Sequence, residues 1–354
     1  LGRGGDQAVV SIGEEVSFYG ARGGAGEKYP RAARIVAQAI HELMTNADKV
    51  FIMGHVNEDY DAIGAAIGGQ DGSDLGQGVH IVWSGQGTAV DNIENVTHGN
   101  NPYEDLIISE EIAWSSDAGQ SPGLVDHHRA ILTAAPKLLA AIRRRVIIDH
   151  HRAEDVIEEV MLQYMEPSTS STSEMVTILQ YSGTHGNQPL EASVLYAGIV
   201  VDTKNFAVQT GERTFEAAAI EAHGADPHAV SQLFKEDDAS VILRAKIITE
   251  MKKPIPGLAV SVHSGGAQND RNVSVVVAQA ADELLTMNDI HVSAVLNESD
   301  DGVSISARSD GSVNVQTMME ELGGGGHQTV AGVQIKGAKA EDLIPKIIEM
   351  AKNK

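Results

Sequence analysis

Cysteine is absent from the chain, so disulfides, thiolate nucleophiles and cysteine-bound zinc are all excluded. Aromatic residues make up only 4% of the sequence, against 42% hydrophobic residues in all, so we expect a mainly aliphatic core. Basic residues are also few, because 26 Lys and Arg stand against 49 Asp and Glu and leave a formal charge of −23. Such a surface repels long nucleic acid, and we expect no partner of that kind. A small anionic substrate is compatible with this charge if metal ions supply positive charge locally.

Long hydrophobic runs are missing as well. No apolar stretch approaches the roughly eighteen residues that a membrane helix needs, and no signal peptide is recognisable. We therefore expect no membrane contact within this sequence. Because the first residue is Leu1 rather than methionine, we expect the sequence to be part of a longer protein.

Hydrophobic periodicity predicts two domains with a lead-in and a connector. The predicted boundaries give a glycine-rich lead-in at 1–30, a first domain at 31–225, a helical connector at 226–256 and a second domain at 257–354. In the first domain short apolar strands alternate with helical segments, which is typical of an α/β fold with a mainly parallel sheet flanked by helices. The second reads as a smaller α+β domain of about a hundred residues, an ordinary domain size.

Polar residues follow several strands of the first domain. Strands are predicted at 50–55, 79–83, 124–126, 145–149 and 196–202, and helices at 31–47, 129–143 and 172–181. Ligands bind beyond the carboxyl ends of strands in an open parallel sheet, so polar residues at those ends are candidates for a site. Residues 68–123 are rich in glycine and acid with little periodicity, and no fold is predicted for them.

The segment GHVNEDYDAIG at 54–64 places His55, Asp59 and Asp61 at the end of a predicted strand. A turn can direct all three side chains to one point. Nitrogen and oxygen ligands without sulfur suit Mn²⁺ or Mg²⁺ better than structural zinc. Taken alone, an acidic loop with a chance histidine explains this segment equally well.

Aspartates at three further predicted strand ends strengthen the hypothesis of a metal site. Asp126 opens the Asp-His-His triplet of VDHHR, Asp149 opens that of IDHHR, and Asp202 ends GIVVD. One aspartate at a strand end is common, whereas several at one edge of a sheet are hard to attribute to chance. An N-cap is the alternative role for Asp202, since aspartate is a preferred cap.

These motifs resemble the DHH phosphoesterase family. The matching stretches are H-x-x-x-D-x-D at 55–61, the aspartate at 126, D-H-H at 149–151 and GIVVDTKNF around 202. ISARSDGSVNVQTMMEELGGGGHQTVAG in the second domain resembles DHHA1 modules, whose GGGH signature it carries. Within the family the likeness is to GdpP-type cyclic-di-AMP phosphodiesterases.

The leading RGGDQ is similar to the GGDEF signature with its last residues altered. The resemblance implies that residues 1–30 are the remnant of a degenerate GGDEF-like domain and a linker. A flexible glycine-rich segment explains these few residues almost as well.

The resemblance implies two divalent ions, Mn²⁺ in the first place, with Mg²⁺ or another divalent ion as the alternative. The six ligands that it implies, with Asp126 shared between the ions, are His55, Asp59, Asp61, Asp126, His150 and Asp202. Asp149 would orient a ligand histidine, and His151 would contact a substrate phosphate or protonate the leaving group. Relatives usually have D-x-H where the first triplet stands, so His127 is interpreted as a neighbour of the site rather than a ligand, with competition for a metal as the alternative.

The glycine run before His327 has a physical rationale of its own. Consecutive glycines let backbone N–H groups approach a phosphate closely, and a nearby arginine can form a bidentate contact with it. A flexible loop before a strand is the alternative. The resemblance implies an active site in the cleft between the domains, where Ser171–Glu174 either line the cleft or cap a helix. The residues expected to bind substrate are Arg308, Gly324, Gly325, Gly326 and His327.

The implied function is hydrolysis of cyclic-di-AMP to 5′-pApA by a hydroxide held between two metal ions. Two alternatives stay open: a nanoRNase or pAp phosphatase acting on pApA or short oligonucleotides, and a catalytically silent nucleotide sensor. A RecJ-like exonuclease is disfavoured by the acidic charge, and a related pyrophosphatase by the GGGGH motif, which such enzymes lack. The family further implies a homodimer on the cytoplasmic side of the membrane that anchors the parent protein.

Overall fold

The computed structural model forms two compact units, Leu1–Lys235 and Glu236–Lys354. The residues that it describes are 8–12, 15–19, 31–47, 49–69, 78–85, 89, 92–93, 107–115, 122–142, 144–151, 157–183, 188–265 and 271–352. The predicted domain boundaries at 30, 225 and 256, and the predicted cleft, stay predictions. Most of the segment 68–123 lies outside the described residues. Among those described, no helix combines the length and apolar character needed to cross a membrane.

An eight-stranded sheet forms the centre of the first unit. Its strands are β1 (Ala8–Ile12), β2 (Glu15–Tyr19), β3 (Lys49–Met53), β4 (Gly78–Val82), β5 (Ile107–Ile108), β6 (Pro122–Val125), β7 (Arg145–Asp149) and β8 (Val160–Met165). The order across the sheet is β1-β2-β8-β7-β6-β3-β4-β5, and every pairing except the β1–β2 hairpin is parallel. The predicted α/β fold is confirmed, and the hairpin of the lead-in extends the same sheet through β2 and β8.

Helices cover both faces of this sheet. They are α1 (Arg31–Thr45), α2 (Tyr60–Gly68), α3 (Glu110–Ser115), α4 (Pro136–Ala141), α5 (Thr172–Gly183), α6 (Pro189–Asp202), α7 (Glu212–Gly224) and α8 (Pro227–Leu233). Successive side chains of β3 point to opposite faces of the sheet. Ile52 packs in one apolar core, and Phe51 and Met53 pack in the other. Only Phe51 and Tyr164 are buried aromatic residues in the part of the chain that the structure describes, so the core is mainly aliphatic as predicted.

The strand predicted at 196–202 is wrong, because these residues are the end of helix α6. A short apolar run fits a buried helix as well as a strand, and α6 is buried on most of its surface, so no polar face marks it as helical. The start of the helix does carry signals, with Pro189 in the first turn and a capping box between Gln188 and Glu191. Asp202 therefore reaches the site from the carboxyl end of a helix.

The helix predicted at 129–143 is interrupted. A 3-10 turn spans Ala130–Leu132, the chain is extended at Thr133, and α4 begins only at Pro136. Proline disfavours the helical conformation of the residue before it, and Ala135 is indeed not helical. The extended residue Thr133 after the turn forms an isolated bridge with His55, one of the predicted ligands.

The second unit is built on a six-stranded sheet with the order β13-β14-β12-β11-β10-β9. Its strands are β9 (Lys252–Ile255), β10 (Gly257–Ser264), β11 (Ile290–Ser299), β12 (Gly302–Ser309), β13 (Gly325–Gly326) and β14 (Val330–Lys336). Its helices are α9 (Asp238–Thr249), α10 (Arg271–Leu285), α11 (Val315–Glu320) and α12 (Ala340–Lys352). Helices α9 and α10 pack in one apolar core, and α11 and α12 in the other. The segment 226–256, predicted as one helical connector, contains α8, α9 and β9.

Candidate metal centre

The junction between β3 and α2 carries three of the predicted ligands. Asp59 caps α2, since its Oδ1 accepts hydrogen bonds from the backbone N–H groups of Asp61 and Ala62, both at 3.0 Å. His55 Nε2 lies 3.6 Å from Asp59 Oδ2. Asp61 is in the first turn of α2 and is fully buried. The cap that starts the helix thus also places the carboxylates.

Glu58 holds this loop in place, a role that the sequence did not indicate. Its carboxylate is buried and accepts hydrogen bonds from the backbone N–H and, at 2.8 Å, the hydroxyl of Ser84, which follows β4. The loop that carries His55 is therefore tied to the neighbouring strand.

Asp126 lies at the centre of the site. Its φ of 60° is in the left-handed region, which aspartate tolerates better than most residues. Its Oδ2 is 3.4 Å from His55 Nε2, whereas its Oδ1 is 3.5 Å from His150 Nε2. The two oxygens thus face opposite sides of the site, an arrangement that suits a carboxylate bridging two cations.

His150 lies on the other side of Asp126 from His55. Its Nε2 lies 3.3 Å from Asp202 Oδ2 and 3.9 Å from Asp61 Oδ2. The donor atoms form two groups, each within 4.8 Å, that we call group 1 (His55, Asp59, Asp126) and group 2 (Asp61, His150, Asp202). A third combination of donors is Asp126, His150 and His151. The structure therefore brings all six predicted ligands together, including Asp202 despite the wrong strand assignment.

Asp149 joins the two Asp-His-His triplets. Its Oδ1 accepts a hydrogen bond from the backbone N–H of His151 at 3.0 Å and lies 2.8 Å from His151 Nδ1. Its Oδ2 lies 2.5 Å from Nδ1 of the buried His128. Asp149 therefore orients two histidines, His151 and His128, that are not among the six predicted ligands. His128 was missed from the sequence, although the D-x-H pattern of relatives at this position was a signal for it.

His127 is the other histidine of the first triplet and belongs to none of these donor groups. It is buried, with Nδ1 3.1 Å from the carbonyl of Val125. Burial lowers the pKa of His127 to about 4, so the ring is neutral at physiological pH.

The electrostatics of the site favour a cation. Burial and the charge of Asp61 raise the pKa of Asp126 well above its usual range, and burial with the charges of Asp61 and Asp126 does the same for Asp202. Burial likewise raises the pKa of Asp61. A divalent cation would relieve this repulsion, and a donor set of imidazole nitrogen and carboxylate oxygen without sulfur fits Mn²⁺ or Mg²⁺.

These raised pKa values predict a pH dependence of metal binding. As pH falls, protons should occupy Asp61, Asp126 and Asp202 at a higher pH than they occupy exposed carboxyls, and a metal ion must displace them. Where these carboxyls are protonated, we expect affinity for Mn²⁺ to fall by about tenfold per pH unit for each proton displaced. Titration calorimetry of metal-stripped protein at several pH values tests this, and a dissociation constant that does not change with pH would contradict it.

The first turn of α5 donates hydrogen bonds to two of the candidate carboxylate ligands, Asp61 and Asp126. The backbone N–H groups of Thr172 and Ser173 each donate to the Asp61 carboxylate at 2.7 Å, and Thr172 Oγ1 donates to Asp126 Oδ1 at 3.2 Å. Ser171 Oγ accepts from the backbone N–H of Glu174 at 3.0 Å, as a helix cap does. The segment thus combines a capping role with support of the ligands.

The residues predicted to bind substrate lie around β12 and β13 of the second unit. Arg308 is largely buried and its Nε donates to Asp282 Oδ1 at 3.1 Å. Gly324 packs so closely that an added Cβ would lie 2.3 Å from the carbonyl oxygen of Gly332, and Gly325 and Gly326 pair with β14. His327 is exposed beside them. The glycine run is thus a short strand next to an exposed histidine, and contact with substrate stays a prediction.

Comparison with known proteins identifies a known domain in each unit. Residues 49–199 match the DHH family, N-terminal domain, and residues 256–353 match the DHHA1 domain. The chain is 41% identical over 356 residues to "Cyclic-di-AMP phosphodiesterase GdpP" of Geobacillus thermodenitrificans, covering 95% of this chain and 52% of that protein. It is 36% identical over 359 residues to "Cyclic-di-AMP phosphodiesterase PdeA" of Listeria monocytogenes, covering 98% of this chain and 54% of that protein.

Among solved structures, the chain is similar to an exopolyphosphatase-related protein from Bacteroides fragilis, with a TM-score of 0.74 and 18% identity. That alignment covers 92% of this chain and 97% of the other and shows a shared fold. The chain spans about half the length of the curated relatives that it matches. With a DHH domain followed by a DHHA1 domain, the chain belongs to the DHH/DHHA1 phosphoesterase family.

Proposed function

We propose that this chain is the catalytic part of a metal-dependent phosphodiesterase that opens cyclic-di-AMP to linear 5′-pApA. The observation that carries the proposal is the pair of donor groups joined at Asp126. The choice of substrate is supported by the relatives named cyclic-di-AMP phosphodiesterases, whose similarity extends over nearly the whole chain.

We assign one Mn²⁺ ion to each side of Asp126. His55, Asp59 and Asp126 would hold the first, and Asp61, Asp126, His150 and Asp202 would hold the second. When bound, a pair of divalent ions activates a water molecule as nucleophile at neutral pH and stabilises the charge that develops on the phosphate. The chain supplies no cysteine nucleophile, and this chemistry requires none.

His151 is proposed to protonate the leaving ribose 3′-oxygen. Its hydrogen bond to Asp149 is the largest influence on its pKa and raises it, so the ring holds a proton closer to neutral pH. Nδ1 of His151 lies within hydrogen-bond distance of Asp149, so Nε2 is the ring nitrogen available to donate a proton. The His151 side chain is 54% exposed. A half-exposed imidazole whose pKa is raised, beside the proposed metal ligands, has the properties of a general acid.

Arg308, the glycine run and His327 are proposed to bind the part of the substrate that is not cleaved. A buried guanidinium already oriented by Asp282 loses little freedom when it binds a phosphate. The backbone of Gly324–Gly326 permits a close approach, and exposed His327 adds a directional donor. We further propose that the protein acts as a homodimer on the cytoplasmic side of the membrane.

Product analysis tests the proposed function. Mn²⁺-loaded protein would be incubated in parallel with cyclic-di-AMP, cyclic-di-GMP, pApA and pAp, and the products separated by chromatography. We expect cyclic-di-AMP to be converted to pApA, with little further hydrolysis, and metal-stripped protein to be inactive.

The other outcomes identify the competing functions. Consumption of pApA or pAp with both cyclic dinucleotides intact would replace the proposal by a nanoRNase or pAp phosphatase. Absence of turnover despite bound metal would indicate a nucleotide sensor. Preference for cyclic-di-GMP would keep the chemistry and change the base.

A further inference from the structure

We propose that Thr172 is a positioning residue that acts mainly on the ion of group 2, through Asp61 and the Oδ1 atom of the shared Asp126, and less on the ion of group 1, to which Asp126 also belongs. The inference rests on the proposed metal centre. It concerns the affinity for metal, so it can be tested without any substrate.

The Asp61 carboxylate is fixed through both of its oxygens. Thr172 N–H donates to Oδ2 and Ser173 N–H to Oδ1, each at 2.7 Å. These two N–H groups open the twelve-residue helix α5, whose dipole favours a negative charge there. Hydrogen bonds from backbone N–H to a buried carboxylate are short and strong, so Asp61 has one orientation before any ion arrives.

The Thr172 hydroxyl acts on the same side of the site. It donates to Oδ1 of Asp126, the oxygen 3.5 Å from His150, whereas Oδ2 of Asp126 is the oxygen nearest His55. Thr172 therefore touches one carboxylate of group 2 through its backbone and orients the shared carboxylate towards His150 through its side chain. The contacts found for Thr172 do not include His55 or Asp59, the ligands specific to group 1.

The turn that carries Thr172 is itself held firmly. Glu174 is buried and accepts hydrogen bonds from Ser170 N–H at 3.1 Å, Ser170 Oγ at 2.6 Å and Thr214 Oγ1 at 2.8 Å. Arg213 lies 3.5 Å from Glu174 through Nε and donates to Glu166 at 2.6 Å. A position fixed by this many buried contacts cannot move to compensate for an altered Thr172.

The test is a Mn²⁺ titration of metal-stripped Thr172→Val by calorimetry, beside wild type and Thr172→Ser. Valine keeps the shape and the backbone N–H but removes the hydroxyl, and serine restores the hydroxyl. We expect the valine variant to lose about 10–100-fold in affinity at one of two sites, the range for loss of a group that orients a ligand, with the other site changed far less. Thr172→Ser should bind both ions nearly as wild type does.

Thr177→Val provides a matched control one turn further along α5. Its hydroxyl donates to the backbone carbonyl of Ser173 at 2.9 Å rather than to a carboxylate, and the substitution is the same Thr→Val exchange. We expect both ions to bind it as they bind wild type. Thermal unfolding of the metal-free variants, measured in parallel, separates positioning from a general loss of stability.

Two results would overturn the inference. One is unchanged affinity of Thr172→Val at both sites. The other is an equal loss at both sites together with a lower unfolding temperature of the metal-free protein, which indicates a structural role only. Wild-type protein that binds two ions and hydrolyses none of the nucleotides would refute the proposed function and leave this inference standing.

Discussion

Asp126→Asn is expected to remove activity almost completely and to impair binding at both metal positions. The amide has one oxygen instead of two and carries no charge. It therefore cannot bind one ion on the His55 side and a second ion on the His150 side. Losing a group that merely orients a ligand costs up to about 100-fold, so loss of the shared ligand should exceed that. The measurement is the rate of phosphodiester hydrolysis together with the Mn²⁺ stoichiometry.

The fold of Asp126→Asn should survive in the absence of metal. Burial and repulsion penalise the Asp126 carboxylate, and the neutral amide removes that penalty, so the metal-free variant should unfold at a temperature no lower than wild type. Asp300→Asn, in the exposed turn between β11 and β12, is the matched control and should leave activity and metal content unchanged. A variant that still binds two ions with wild-type affinity would show that Asp126 is not the bridge.

Gly198→Ala is expected to destabilise the protein and weaken metal binding, although alanine normally favours a helix over glycine. An added Cβ would lie 2.3 Å from Ser173 Oγ, 3.0 Å from Ser173 Cβ and 3.0 Å from the carbonyl oxygen of Tyr60. The hydroxyl can rotate away, but the other two atoms belong to fixed parts of α5 and α2. Overpacking costs about 1–3 kcal/mol, which exceeds the gain of about 1 kcal/mol in helix propensity.

The expected loss of metal affinity follows from the position of Gly198 in the helix that carries Asp202. Gly198 lies one turn before Asp202 in α6, and Ser173 contacts Asp61, so a shift between α6 and α5 separates two ligands of group 2. Urea denaturation and Mn²⁺ titration measure both effects. Gly211→Ala, where an added Cβ meets no atom within 4 Å, is the control. Wild-type stability and metal affinity in Gly198→Ala would show that the helices can separate without cost.

The sequence by itself determined the kind of site and most of the fold class. The spacing of His55, Asp59 and Asp61 after an apolar strand, with aspartates after two other strands, indicated nitrogen and oxygen donors at one edge of a parallel sheet. Asp202 was found by the same pattern, although it ends a helix rather than a strand, and the resemblance to the family added His150 as an expected ligand. These features are local: they depend on strand ends, a helix cap and residue chemistry, all of which a short stretch of sequence specifies.

Tertiary structure decided what supports the ligands. The contacts of Thr172 with Asp126 and Asp61 join residues 46 and 111 positions apart, and His128 meets Asp149 across 21 positions. Nothing in the local pattern of either partner specifies the other, because packing of distant helices and strands sets such distances. The helical state of 196–202 was decided in the same way. An apolar run buried on most of its surface has no polar face to show its period, so its surroundings, rather than its own pattern, determine whether it is helix or strand.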